Sequence, residues 1–216
     1  VVGPTGREEF VADAAAVLSA IVGRDKLDPT TADSVRGERD YTKFLAMDGL
    51  KGARIGVARQ FVGTNADAKA IFEAQLEYLR AGGATLVDVT FPEEIGKLAD
   101  DRLNVLLYEF KTDLNKYLAA RKSKYRTLAD LIRFNEENKE KQMPLFGQEL
   151  FVQSQAKGEL TDKAYLDSLR RLKTTTRENG IDAVIGKDNL DAIVGPATGA
   201  TWSIAAVAGY PYITVP

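Results

Sequence analysis

The sequence predicts an α/β protein with a layered, mixed β-sheet flanked by helices, and three observations support this fold class. The first is a strand at 54–59, a helix at 65–81, the pair Gly82-Gly83 and a strand at 84–92. Two strands joined by a helix in this way form a parallel pair with a right-handed crossover.

A long helical stretch is the second observation. Apolar residues recur at the 3.6-residue spacing of a helix between 103 and 118, which predicts one buried face. That face comprises Leu103, Leu106, Leu107, Phe110, Leu114, Tyr117 and Leu118. Further helices are predicted at 10–22, after Thr127 as N-cap, and after Thr161 as N-cap, the last carrying Leu166, Leu169 and Leu172.

The third observation is a strand, loop and helix near the end of the sequence. "LDAIVGP" reads as a buried strand, "ATGATW" as a Gly/Thr-rich loop, and 203–208 as a small-residue helix. Tyr212, Ile213, Thr214 and Val215 favour extended backbone and predict a final strand. No repeat or low-complexity linker divides the sequence, so we expect a single α/β unit over 1–216.

Composition bounds the function. The 216 residues have 44% hydrophobic and 28% charged side chains and a net charge of -2, which is ordinary for a globular protein and favours neither nucleic acid nor anionic membrane as a partner. There is no Cys and no His, which removes thiol nucleophiles, thiolate metal sites, Ser-His-Asp triads and the common zinc ligands. We therefore expect no cofactor and no metal.

Two patterns with catalytic spacing have simpler explanations. Ser154 and Lys157 match Ser-x-x-Lys, but the Ser-Asp-Asn and Lys-Thr-Gly elements that accompany it in one enzyme class are missing. Glu109 and Lys111 do not share a helix face, so we interpret them as solvated charges beside a core Phe110. No catalytic residue is predicted from these patterns.

The loop "GPATGATW" (195–202) is the best candidate for a substrate-binding site. It follows a buried strand, where α/β sheets place their binding loops, and its amides and Thr hydroxyls could hold a carbonyl or an anion. We name Thr198, Gly199 and Trp202 as substrate-binding candidates, with Trp202 as a pocket wall. A tight strand-to-helix turn with a buried Trp202 explains the same residues equally well.

Several stretches together resemble the amidase signature family. "GPTGR", "ADAAAVLSAIVGRDKLDPTT", "LKGARIGVAR" and "LRAGGATLVDVTFP" are similar to successive segments of that family. "LLYEFKTDLNKYLAA", "RTLADLIRFNEEN" and "GQELFVQSQA" resemble a helical insertion of one subgroup, placed at about 93–179, and "NLDAIVGPATG" and "AAVAGYPYITVP" resemble its C-terminal region. Arg7 and Asp13 are separated by five residues, two more than usual, so the family's role for the Arg is not carried over.

The resemblance implies hydrolysis of amide C–N bonds by a Ser nucleophile, a second Ser in a cis peptide and a Lys base. That triad belongs to a Gly-Ser-rich region upstream of "GPTGR", and none of the serines or lysines here matches it. The expectation is a middle-to-C-terminal fragment of an amidase domain that is inactive alone. The alternative is a non-catalytic small-molecule binding or regulatory module of amidase ancestry.

The expected partners follow from the same resemblance. They are a small-molecule amide substrate in the full-length protein, and the N-terminal half of the amidase or a second copy of this chain. We expect no nucleic acid and no membrane as partners. The expected location is cytoplasmic, with export left open.

Overall fold

The computed structural model describes residues 7–197 and 199–214, with side chains described outside 7–10 and 33–36. The described residues fall into two compact units. One, the sheet unit, takes its residues from Val1–Thr90, Val184–Ser203 and Pro211–Pro216; the other, the helical unit, takes them from Phe91–Ala183 and Ile204–Tyr210. The single α/β unit expected from the sequence stays a prediction.

The sheet unit contains a three-stranded parallel sheet. Its strands are β1 (Arg54–Val57), β2 (Thr85–Asp88) and β3 (Ala192–Val194), in the order β2-β1-β3. Gly56 of the central strand lies opposite both Val87 and Ile193 in the register. The α/β class and the predicted parallel pair are confirmed, and all described pairings are parallel where a mixed sheet was expected.

Helix α2 (Ala66–Ala81) connects β1 to β2, as the sequence predicts. It begins at Asn65, whose side-chain Oδ1 accepts a hydrogen bond from the Ala68 amide at 2.9 Å. Leu76 is 1% exposed, which makes it one of the most buried side chains described. The helix ends at Gly82-Gly83, where Gly83 has a φ of +95° that few other residues adopt.

The N-terminal region of the sheet unit has more helix than predicted. Helix α1 (Arg7–Ile21) covers all but the last residue of the predicted helix at 10–22. The segment 24–40, which is rich in Asp, Pro and Thr and predicts a surface loop, contains a 3₁₀ helix at Pro29–Arg36. Local hydrogen bonds explain the difference. Asp28 Oδ1 accepts from both the amide and the hydroxyl of Thr30, a side-chain-to-backbone bond of the kind that forms turns.

The helical unit contains α3 to α7, a π-helical segment, the first residue of α8 and the segment Ile204–Tyr210. These elements are α3 (Ala99–Ala120), α4 (Leu128–Glu137), α5 (Lys139–Gln142), α6 (Glu149–Gln155), α7 (Lys163–Lys173), the π-helical segment Thr174–Asp182 and the start of α8 (Ala183–Asp188). A hydrophobic core joins α3 to α7 and comprises Leu98, Val105, Tyr108, Tyr165 and Leu172.

The predicted buried face of α3 is largely wrong. Val105, Leu107 and Tyr108 are buried, whereas Leu106 is 62% exposed and Tyr117 is 53% exposed. Helix α3 carries apolar residues on more than one side, so periodicity alone could not select the side that packs on α7.

One of the two predicted helix caps is confirmed. Thr127 caps α4: its hydroxyl accepts from the Asp130 amide at 3.2 Å, and Asp130 Oδ2 accepts from the Thr127 amide at 3.1 Å. The prediction for Thr161 is wrong, because α7 begins one residue later with Asp162 at the N-cap position.

Helix α9 (Ala200–Ala208) begins earlier than predicted, so Thr201 and Trp202 belong to its first turn. The final strand is not formed in its described part, since Tyr212, Ile213 and Thr214 have no regular secondary structure. A strand needs a hydrogen-bonded neighbour, and none of the described strands pairs with this segment. Val215, the fourth predicted residue, lies outside the described residues.

Candidate functional site

The predicted binding loop lies at the carboxyl ends of two adjacent parallel strands. β3 ends at Val194, and the loop runs from Gly195 to the start of α9. The Ala58 amide, directly after β1, donates to the Val194 carbonyl at 3.0 Å. Because ligands of parallel α/β sheets bind at this edge, the position suits a binding loop.

The start of the loop is fixed by close packing. A Cβ atom on Gly195 would overlap the Thr201 side chain and lie 3.6 Å from the Ala58 Cβ, so the close approach of these residues requires glycine. The Thr201 hydroxyl donates to the Pro196 carbonyl, which closes the turn. Thr201, which the sequence suggests as a ligand donor, therefore holds the loop in shape.

The rest of the loop is only partly open to a ligand. Gly199 has a φ of +89° and leads into α9, and the Tyr212 hydroxyl donates to the Ala197 carbonyl at 3.0 Å. Trp202 is 50% exposed, so the interpretation as a buried tryptophan is wrong, although the tight turn is present. Thr198 lies outside the described residues, and substrate binding by Thr198, Gly199 and Trp202 stays a prediction.

An ion-paired arginine at the same edge was not predicted. Arg59 follows β1, and its Nε donates to Asp88 Oδ1 at the end of β2 at 2.7 Å. Its guanidinium also pairs with Glu73 of α2. All three side chains are about one-third exposed or more, and exposed pairs of this kind contribute little to stability.

The Ser-x-x-Lys pair lies in the helical unit and does not form a nucleophile–base arrangement. Ser154 is 1% exposed, whereas Lys157 Nζ donates to Asn104 Oδ1 at 2.8 Å and lies 5.3 Å above the centre of the Tyr108 ring. The Lys157 amine is therefore held by an amide and an aromatic face.

Asn104 links Lys157 to a second serine that the sequence did not indicate. Asn104 Nδ2 donates to Ser168 Oγ at 3.1 Å, and Ser168 Oγ donates to Asp101 Oδ1 at 2.8 Å. Arg171 Nε donates to Asp101 Oδ2 at 3.0 Å, and the Arg171 hydrogen bond lowers the pKa of Asp101, with Ser168 adding to the effect. A carboxylate with a lowered pKa is a weak base, so it does not activate Ser168 as a nucleophile.

A cavity of about 390 Å³ opens beside this cluster of Asp101, Asn104, Lys157, Ser168 and Arg171, which we call the α3–α7 cluster. The cavity is lined by Asp100, Asp101, Leu103, Asn104, Leu107, Gln153, Lys157 and Ser168. The α3–α7 cluster has a recognisable sequence signal. Asp101 and Asn104 are three residues apart, as are Ser168 and Arg171, so each pair shares a helix face.

The interpretation of Glu109 and Lys111 as solvated charges is also wrong. Both side chains are half-buried and bonded: Tyr165 donates to Glu109 Oε1 at 2.8 Å, and Lys111 Nζ donates to the Lys157 carbonyl. Burial, reinforced by the Glu109 carboxylate, raises the pKa of Tyr165 to about 12. Phe110, expected in the core, is 40% exposed.

Metal-binding clusters and membrane-spanning helices are both absent from the described residues. These residues contain no group of three or more Asp, Glu, His or Cys side chains placed to hold a metal ion. Within the same part of the chain, no helix combines the length and the apolar character needed to cross a bilayer.

Comparison with known proteins shows what the chain is similar to. The family model described as Amidase matches residues 1–211. A probable amidase of Arabidopsis thaliana is 35% identical over all of this chain and 41% of its own length. One component of the glutamyl-tRNA(Gln) amidotransferase of an Anaeromyxobacter strain is 45% identical over 42% of this chain and 18% of its own length.

The solved structure of a peptide amidase from Stenotrophomonas maltophilia agrees with these sequence matches. It superposes on 92% of this chain and 43% of its own with a TM-score of 0.85 and 39% identity. This chain thus spans less than half the length of the relatives that it matches from end to end. The family match over nearly the whole sequence confirms the resemblance seen in its motifs: the chain belongs to the amidase family.

Proposed function

We propose that this chain forms part of an amide hydrolase and supplies one wall of the substrate cleft, while the nucleophile and base come from other residues of the enzyme. The observation that carries the proposal is the superposition on the peptide amidase over 92% of the chain at 39% identity. The proposed substrate is a small molecule with an amide group, and the reaction replaces its C–N bond by a C–O bond with water.

The composition and side-chain contacts of the chain favour a structural role over a catalytic one. The chain itself has no His or Cys, so cleaving an amide alone would require another base such as Lys, which takes a hydroxyl proton at neutral pH only when it is neutral and shielded from water. Lys157 and Ser168 are both bonded to Asn104, which separates the amine from the hydroxyl. We therefore propose that this chain alone hydrolyses no amide.

The loop from Gly195 to Trp202 is the proposed contribution to the cleft. Its position at the carboxyl ends of β1 and β3, and the half-exposed Trp202 ring, suit contact with the apolar part of an amide substrate. Because Trp202 would contact the substrate in its ground state, its loss should raise KM more than it lowers kcat.

The proposed partner is the portion of the amidase fold that carries the Gly-Ser-rich region. Exposed apolar side chains on α3, such as Leu106, support a covering partner, because large apolar surfaces are seldom left in water. Self-association of this chain is the competing arrangement, and light scattering of the pure chain separates the two. The cytoplasmic location is a further proposal, tested by fractionation of cells that express the native protein.

Complementation tests the function. The chain is assayed for ammonia release from a panel of primary amides and peptide amides, alone and after co-expression with the N-terminal region of the Stenotrophomonas peptide amidase. We expect turnover only in the complemented sample, and a raised KM when it carries Trp202→Ala. Turnover by the chain alone, or no turnover in a stable complex, contradicts the proposal.

A Phe variant of Tyr212, which follows α9 and bonds to the loop, provides the matched control. Tyr212→Phe removes a hydrogen bond to Ala197 but keeps the aromatic ring. It should change KM less than Trp202→Ala does, because the proposed contact is made by the Trp202 ring. An equal effect of both changes would indicate a disturbed loop rather than a lost substrate contact.

A further inference from the structure

The cavity beside the α3–α7 cluster presents one unpaired anion and one unpaired cation. Among the described residues, Asp100 and Gln153 have no side-chain partner, and Lys157 has no carboxylate partner. The other acid at the cavity, Asp101, is neutralised by Arg171. The free charges of the lining are therefore the Asp100 carboxylate and the Lys157 ammonium.

The Lys157 amine is held in place but keeps donors for a ligand. Its Nζ uses one hydrogen bond on Asn104 Oδ1 at 2.8 Å and lies 5.3 Å above the centre of the Tyr108 ring. A lysine ammonium has three N–H donors, so two remain. Asn104 is fixed in turn by its bonds to Ser168 Oγ and the Ala164 carbonyl, both at 3.1 Å.

The remaining lining provides an apolar surface and an amide. Leu107 is 6% exposed and Leu103 is 41% exposed, and both line the cavity. The Gln153 amide can donate and accept a hydrogen bond. The depression has a volume of about 390 Å³ and is open to solvent, so a ligand bound there would stay partly exposed.

We propose that this cavity binds a small aliphatic zwitterion, with its ammonium on Asp100, its carboxylate on Lys157 and Gln153, and its side chain on Leu103 and Leu107. An amino acid such as leucine and a dipeptide such as leucyl-leucine share this chemistry. The site lies within the helical unit and does not depend on the proposed amidase activity.

The test is a calorimetric titration of the full chain with leucine and with leucyl-leucine. Two analogues each lack one charge: 3-methylbutylamine has no carboxylate, and 4-methylpentanoate has no ammonium. We expect saturable binding of at least one of the two zwitterions. Each analogue should bind at least about tenfold more weakly, a difference of about 1.4 kcal/mol in the binding free energy. The absence of saturable binding for both zwitterions at millimolar concentration would overturn the proposal.

Variants assign each charge to its residue. Asp100→Asn should bind the zwitterion no more tightly than 4-methylpentanoate, which lacks the ammonium. Lys157→Gln should bind the zwitterion no more tightly than 3-methylbutylamine, which lacks the carboxylate. Glu140→Gln, an exposed change on α5, is the matched control and should leave both preferences intact. Zwitterion binding that neither Asp100→Asn nor Lys157→Gln weakens would show that the ligand binds elsewhere.

The Asp100→Asn variant also distinguishes loss of a ligand contact from loss of the folded state. Asp100 is exposed and has no described side-chain partner, so its replacement should leave the chain folded and lower the melting temperature only slightly, through loss of a carboxylate in the first turn of α3. If Lys157→Gln unfolds the chain, the Asp100→Asn result alone decides whether the anion contacts the ligand.

Discussion

Replacing Tyr165 by Phe tests the assignment of the helical core through its pH dependence. The Tyr165 ring is 7% exposed and lies 5.5 Å from the Tyr108 ring, and its hydroxyl donates to Glu109 Oε1 at 2.8 Å. Phe keeps the ring and removes the hydroxyl. At neutral pH we expect a loss of about 2 kcal/mol in the free energy of unfolding, typical for a hydrogen bond to a charged group.

The sign of the pH dependence follows from the raised pKa. Burial and the Glu109 carboxylate raise the pKa of Tyr165 from 10.0 to about 12, so the folded state favours the neutral phenol. This stabilisation is complete below the unfolded pKa and is lost as the pH rises towards the folded one. The raised pKa of Tyr165 corresponds to about 2.7 kcal/mol of stabilisation in total, of which the wild-type chain should have lost about 1.4 kcal/mol at about pH 11.

The assay is urea unfolding of both chains from neutral pH to about pH 11. The advantage of wild type over Tyr165→Phe should narrow by about 1.4 kcal/mol across that range. Tyr78→Phe, a change on the 56% exposed tyrosine of α2, is the control and should stay within about 0.5 kcal/mol of wild type. A gap that stays constant or widens would refute the buried hydrogen bond to Glu109.

Three further predictions concern stability. Thr127→Ala should cost about 1 kcal/mol through loss of the α4 cap, and Thr127→Ser should restore it, by urea titration. Leu76→Ala should lower the free energy of unfolding by about 3 kcal/mol, whereas Ile71→Ala, at a 63% exposed position on the same helix, should lower it by about 0.5 kcal/mol or less. Equal losses would contradict the assignment of the Leu76 face of α2 to the core. Arg171 lowers the pKa of Asp101, so the ionised carboxylate stabilises the fold above its usual pKa, and this stabilisation decreases as the pH falls. The difference in the free energy of unfolding between wild type and Asp101→Asn should therefore shrink from about pH 7 to about pH 3. A difference that grows over this range would contradict the pairing of Asp101 with Arg171.

Strands, helices and one cap were predictable from the sequence because their signals are local. The parallel β1–β2 unit follows from two extended segments, an amphipathic helix and Gly82-Gly83, each within a few residues. The Thr127 cap depends on Asp130, three residues later. Such signals do not require knowledge of what the elements pack against.

Features that depend on tertiary packing were not predictable in this way. The buried face of α3 is decided by α7, which places Val105 and Tyr108 in the core and leaves Leu106 exposed. The bond between Asn104 and Ser168 joins residues 64 positions apart, so helical spacing can group residues within α3 or within α7 but cannot indicate that the two groups meet.

The loop from Gly195 to Trp202 has one feature that the sequence predicts and one that it does not. Its place after β3 was predictable, because an apolar strand followed by Gly195 and Pro196 must turn at the sheet edge. The expected burial of that strand was wrong, since Ala192 is exposed and the other two residues of β3 are half-buried. The half-exposed Trp202 was not, because exposure depends on the residues that surround α9. Local propensity could likewise not indicate that Tyr212–Thr214 would pair with none of the described strands.

The central claim is that the amide-cleaving nucleophile is not among these residues, and mass spectrometry after treatment with a serine-directed fluorophosphonate tests it most directly. We expect that the pure chain keeps its intact mass and that, in the complemented enzyme, the adduct forms only on the added N-terminal region. A stoichiometric adduct on Ser154, Ser168 or another serine of this chain would contradict the claim.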